Sequence, residues 1–246
     1  MELTSLSFEL LSFLFLIAVV AGFIDTLAGG GGLLSVPALL LSGIPPLAAL
    51  GTNKLQGSMG TATATYMVIK NKKVKWGDVK YLMLSAFIGA AVGAIAVQFI
   101  NTDALSFVIP LVLSFITLYF LMSPLFAKSW EAGKACVSYQ KYRNFIVPSI
   151  GGYDGMFGPG TGSFFALAGV ACQGRGLISS TAVAKPLNFS TNIAALIIFL
   201  IAGQIVWPAG ILMMFGQAIG AWLGVHCLFR INPLYLRGLV ILMSST

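Results

Sequence analysis

Charge is what this sequence of 246 residues lacks. Asp, Glu, Lys and Arg together make up 9% of it, against roughly 25% in soluble domains, while 58% is hydrophobic and mean hydropathy is +0.94. That excludes an ordinary soluble domain. Acids are scarcer than bases, seven against 14, which leaves a net charge of +7. The bases fall between hydrophobic runs, where they orient a chain in a bilayer instead of forming a nucleic-acid face. Histidine occurs once, and Cys136, Cys172 and Cys227 are scattered without a CxxC pair, so a disulfide scaffold or thiolate metal site has no support. No cofactor motif occurs. Nor does the start show a secretory signal: Met1 to Leu10 carries Glu2 and Glu9 in place of a basic region and no small-residue cleavage site follows, so the first apolar run reads as retained.

What is present is a series of membrane-grade apolar runs. They fall at about Leu10–Ala28, Gly32–Leu41, Leu47–Ile69, Tyr81–Ile100 and Leu105–Phe126, then, after the hydrophilic stretch Ala127–Arg143, at about Asn144–Phe157, Ser163–Cys172, Leu177–Ala202, Ala209–Phe229 and Leu234–Ser244. At about 20 residues per span the chain has room for about seven to nine membrane segments and for no soluble domain.

The two series share a rhythm. Sliding the sequence on itself by 131 residues aligns Lys54 with Lys185, Trp76 with Trp207, Gly89 and Gly93 with Gly220 and Gly224, and Asn101 with Asn232; a slide of 129 aligns Asp25 with Asp154 and Gly29 with Gly158. Glycine matches are cheap among 28 glycines, but there are only four tryptophans, and lysine inside a membrane is rare. An internal duplication follows, with residues 1–126 as first repeat, 127–143 as linker and 144–246 as second repeat.

Lys70, Lys72, Lys73, Lys75 and Lys80 lie in one loop, and Lys128, Lys134, Lys141 and Arg143 in the linker, which assigns both to the cytoplasmic side. The loops 42–46, 101–103 and 203–208 hold no Lys or Arg. If each glycine-broken pair of short runs dips in and returns, every loop obeys the rule and each half has three full crossings. The expected fold is an all-α, polytopic bundle of two inverted repeats, the plan of many secondary transporters. The last run is short beside its counterpart.

Each half then places an Asp before a glycine cluster and a Lys deep in the next run. The clusters Gly29-Gly30-Gly31-Gly32 and Gly158-Pro159-Gly160-Thr161-Gly162 each open a short helix, whose free N–H groups and positive dipole end suit an anion near the midplane. Close helix packing is the plainer reading. Lys54 lies about eight residues into a helix starting near Pro46, roughly 12 Å along an axis whose membrane half-thickness is about 15 Å. Lys185 occupies the matching place, so two ammonium groups can converge on one substrate; snorkelling, or an ion pair with Asp25 or Asp154, is the alternative. Asp25 and Asp154 are the candidate proton carriers. Thr52, Asn53, Gln56, Asn188 and Asn192 are positioned to bind an oxyanion or, equally, neighbouring helices. Gly89-xxx-Gly93 and Gly216-xxx-Gly220-xxx-Gly224 read first as packing within the bundle and second as a homodimer face.

The strings AGFIDTLAGGGGLLSVPALL, TNKLQ and GGYDGMFGPGTGSFF followed by AKPLNFSTNIAALIIF resemble the sulfite exporter TauE/SafE family, also called the toluenesulfonate uptake permeases, in its bacterial YfcA-type subgroup. The resemblance covers nearly the whole chain. It implies a bacterial inner-membrane, multi-pass transporter of sulfite, organosulfonates or related small anions, and it carries over Asp25, Gly29 to Gly32, Asn53, Lys54, Asp154, Gly158, Gly160, Gly162, Lys185 and Asn188. Pro159 and Thr161 interrupt the second cluster, which allows an asymmetric site. The rivals are an anion channel or a non-transporting scaffold. An intramembrane aspartyl protease lacks its second aspartate motif, and a serine enzyme lacks the nucleophile elbow beside His226.

Overall fold

The computed structural model describes residues 7–122, 133–228 and 230. The last apolar run, the head of the chain and most of the linker before residue 133 lie outside the described residues. Ten α-helices are described and no strands: α1 (Phe8–Ala28), α2 (Gly32–Leu41), α3 (Pro46–Lys70), α4 (Trp76–Gln98), α5 (Thr102–Met122), a single turn α6 (Tyr139–Lys141), α7 (Val147–Met156), α8 (Thr161–Gln173), α9 (Leu177–Ile201) and α10 (Trp207–Leu228). A π-helical turn over Tyr142–Ile146 joins α6 to α7.

Local signals set these boundaries. Ser7 caps α1 by accepting the Leu10 N–H, Pro46 opens α3 with its φ already helical, and glycines at 29 and 174 end α1 and α8 in left-handed conformations. Trp76 and Trp207 each begin a helix and are half exposed, as interfacial anchors are.

Among the described residues four helices, α1, α4, α9 and α10, are long and apolar enough to cross a membrane. The chain is an all-α membrane protein. Their outer faces carry exposed apolar side chains, such as Leu84, Ile88 and Val92 on α4 and Phe215, Ile219 and Trp222 on α10, where lipid replaces water as the surrounding medium. Helix α3 is as long as α9 at 25 residues but too polar for a lipid-facing span. It is instead wrapped by α9 and α10, which bury Thr52, Asn53, Lys54 and Gln56.

The packing crosses between the two halves. Helix α1 lies on α10 as α7 lies on α4, α3 lies on α10 as α9 lies on α4, and α3 meets α9 at the centre. The close approaches repeat with the same offsets as the sequence. A methyl group on Gly89 would overlap the Pro148 carbonyl, and one on Gly220 the Val19 carbonyl; Gly93 meets Gly152 and Gly224 meets Phe23 in the same way. The small-xxx-small patterns are therefore consumed by contacts between α4 and α7 and between α10 and α1. Among the described residues the core is shared between the halves: α2, α4 and α5 form one apolar cluster with Ala195 and Phe199 of α9.

Candidate functional site

Two interruptions of the helical run build the site. Gly29, at φ 79°, turns the chain out of α1, and its N–H bonds the Asp25 carbonyl at 2.7 Å. Gly158 and Gly160, at φ 96° and 78°, turn it from α7 into α8. L side chains resist these conformations, so the glycines dictate where both helices break. Each break leaves an aspartate in the last turn of a helix.

The breaks are held against each other. A methyl group on Gly29 would collide with the backbone of Gly162 and Ser163, and the Ser163 hydroxyl donates to the Ala28 carbonyl. Close packing thus accounts for Gly29 and Gly162. The lysines also cross: Lys54 Nζ donates to the Asp154 backbone carbonyl at 2.5 Å and to Asp154 Oδ1 at 2.8 Å, while Lys185 Nζ donates to the Asp25 backbone carbonyl at 2.5 Å. Carbonyls in a helix's last turn carry the negative dipole end, so each ammonium stabilises the break of the other half.

The carboxylates differ. Asp154 Oδ1 accepts from Lys54 and lies 2.9 Å from the Thr161 hydroxyl, whose one proton it shares with the Gly158 carbonyl at 2.7 Å, while its Oδ2 is buried without a partner among the described residues. Asp25 Oδ1 accepts the Gly31 N–H at 3.2 Å, and among the described residues the close ion pair is between Lys54 and Asp154.

Between the breaks lies a polar cavity of about 20 Å³, room for about one water molecule. Of the residues marked out in the sequence, Asp25, Gly32, Asn53, Lys54, Asp154, Gly158 and Asn188 line it, as does Asn192. Gly29 to Gly31, Gly160, Thr161, Gly162 and Lys185 do not line it. Around it the Ser35 hydroxyl donates to Asn53 Oδ1 at 2.7 Å, and Asn192 Nδ2 to the Asn188 carbonyl at 2.8 Å. Thr52 is taken by structure, accepting the Val206 N–H across to the start of α10.

Gly57, Thr61 and Gln217 also line the cavity and were not anticipated. Gly57 and Thr61 follow Lys54 by three and seven residues, the spacing of one helical face. Gln217 is an amide alone in the middle of the run Ala209–Phe229, which is itself a signal. The repeat comparison hid it, because its partner at offset 131 is Ala86. Gln56 Nε2 donates to Gln217 Oε1 at 2.9 Å, tying α3 to α10 beside the cavity. A larger groove of about 590 Å³ between α1, α2 and α5 is apolar, with Ser114 and Thr117 as its hydroxyls, and suits acyl chains better than an anion.

Comparison with known proteins agrees with this architecture. The family model for the sulfite exporter TauE/SafE matches residues 14–246. The chain is 39% identical over 236 residues to a probable membrane transporter protein of Haemophilus influenzae, covering 96% of this chain and 92% of that one. It is 40% identical over 239 residues to the probable membrane transporter protein ORF9 of a Sinorhizobium species, covering 97% and 91%. Against the probable membrane transporter protein YfcA of Escherichia coli K12 it is 39% identical over 237 residues, covering 96% and 87%. No solved structure matches it significantly. With two crossed lysine contacts around one buried polar cavity, and a match across nearly its whole length, this chain belongs to the sulfite exporter TauE/SafE family, a family of membrane transporters and not of enzymes.

Proposed function

We propose that this protein is a secondary carrier of small anions, sulfite and short organosulfonates above all, working by alternating access in a bacterial inner membrane. The observation that carries the reading is the polar cavity where both helix breaks meet, lined by the Lys54 ammonium and by side-chain amides. A buried lysine is costly in a membrane protein and marks a substrate path when it faces a polar cavity. The matching offsets of the cross-half contacts support two inverted repeats, and such repeats rock about a midplane site. Room for about one water molecule fits the closed form of a carrier between its two open forms. Proteoliposome counterflow tests it. Saturable exchange of labelled sulfite or methanesulfonate supports the carrier; unsaturable flux without counterflow points to a channel, and no flux to a scaffold.

A further inference from the structure

We propose that Asp154 Oδ2 is the proton-binding atom of this carrier, and that a proton bound there releases Lys54 from its ion pair so that anion and proton are taken up together. The proposal rests on the anion-carrier reading above.

The argument begins with charge. Among the described residues the charged groups around the cavity are Asp25 from α1, Lys54 from α3, Asp154 from α7 and Lys185 from α9; α8 offers the Thr161 hydroxyl and α10 the Gln217 amide. Helix α4, packed along α7, meets it through Ala86, Gly89, Ala90 and Gly93, none of them charged. Two carboxylates therefore balance two ammonium groups, and Lys54, the ammonium in the cavity wall, is already paired at 2.8 Å. An anion entering this arrangement meets no net positive charge. One added proton changes that.

Geometry selects the atom. Both donors to the Asp154 carboxylate, Lys54 Nζ and Thr161 Oγ1, converge on Oδ1. Oδ2 is left bare in a residue that is 1% exposed, although a buried carboxylate oxygen ordinarily has a partner. A proton from the aqueous phase that bonds to Oδ2 makes this bare acceptor an O–H donor, which is what an oxyanion needs. It also cancels the charge that holds Lys54 Nζ on Oδ1, while the Asp154 carbonyl keeps the ammonium at the cavity wall. Asp25 has no such arrangement: its Oδ1 accepts a backbone N–H from Gly31, and no ammonium of the cavity wall is tied to its carboxylate. A sodium ion in place of the proton would sit against the Lys54 ammonium, which disfavours it.

The test uses the full chain in detergent and in liposomes, with methanesulfonate, whose sulfonate stays ionised across the working pH range, as the probe. In wild type, adding methanesulfonate should take up protons from weakly buffered solution and raise an infrared carbonyl band of a protonated carboxyl group. Above its midpoint, affinity should fall about tenfold per pH unit. Asp154→Asn mimics the protonated carboxyl group, so it should bind with a flat pH profile, no proton uptake and no such band; Asp25→Asn should keep the pH slope. Thr161→Val, which leaves Lys54 and Asp154 in place, removes the hydroxyl 2.9 Å from Oδ1 and should change the pH dependence of binding. It decides the matter alone if Asp154→Asn fails to fold. A pH slope persisting in Asp154→Asn, an unmoved profile in Thr161→Val, or sodium replacing the proton overturns the proposal. Counterflow without proton uptake sinks it while sparing the carrier reading; absence of both binding and counterflow removes the two together.

Discussion

The Lys185 ammonium donates to the backbone carbonyl of Asp25, not to its carboxylate, whereas its counterpart Lys54 holds both the carbonyl and the carboxylate of Asp154. Two lysines at equivalent places in the sequence thus carry unequal burdens in the fold. The halves also differ at Thr161 in the second glycine cluster: its hydroxyl lies 2.9 Å from Asp154 Oδ1, and no hydroxyl stands in the first cluster.

Replacing each lysine by methionine, which keeps most of the bulk, should therefore give different stability losses. Lys54→Met strands the buried Asp154 carboxylate and should cost about 3–5 kcal/mol. Lys185→Met removes a charged hydrogen bond to a carbonyl and should cost about 1–3 kcal/mol. Thermal melting in detergent reads the order; equal losses would contradict the asymmetry. Both variants should lose anion binding, and Lys54→Arg should not restore it, because the planar guanidinium does not fit a site shaped for an ammonium.

Glycines at the helix crossings should behave as a set. Gly93→Ala and Gly224→Ala press a methyl group into the backbone of the facing helix and should each destabilise the protein by about 1–3 kcal/mol or more. Gly77→Ala meets nothing within 4 Å and should be neutral or slightly stabilising. Melting temperatures of the three variants check this. A silent Gly93→Ala would return α4 to the role of a homodimer face.

Gly29→Ala should be the most damaging single methyl group in the first cluster. It imposes a side chain on φ 79° and collides with Gly162 and Ser163, forcing the two helix breaks apart. Counterflow should vanish even where some folded protein is recovered, and wild-type exchange rates in this variant would show that the breaks need not touch.

Orientation is open to a direct measurement. Single cysteines at positions 72 and 134, in a background without Cys136, Cys172 and Cys227, should resist an impermeant thiol reagent in intact cells, while one at Asp103 should react. The reverse pattern would invert the assignment of the basic loops.

The membrane class and the helical breaks were legible in the sequence, and an Asp–Lys ion pair was one of the alternatives it offered, because each rests on a local cost that lipid imposes. Apolar runs have no other use at this density of charge, glycine clusters mark backbone that other residues resist, and lysine in a long apolar run demands a partner wherever it falls. Gln217 escaped because a lone amide has no local signature beyond its polarity and no twin at the repeat offset. Which aspartate each lysine meets was decided by the tertiary structure alone: Lys54 and Asp154 stand 100 positions apart, and only the crossing of the two halves brings them to 2.8 Å. The same crossing settled that the glycines of α4 and α10 face helices within this chain, since whether a small-residue face is buried depends on what packs against it and not on its spacing.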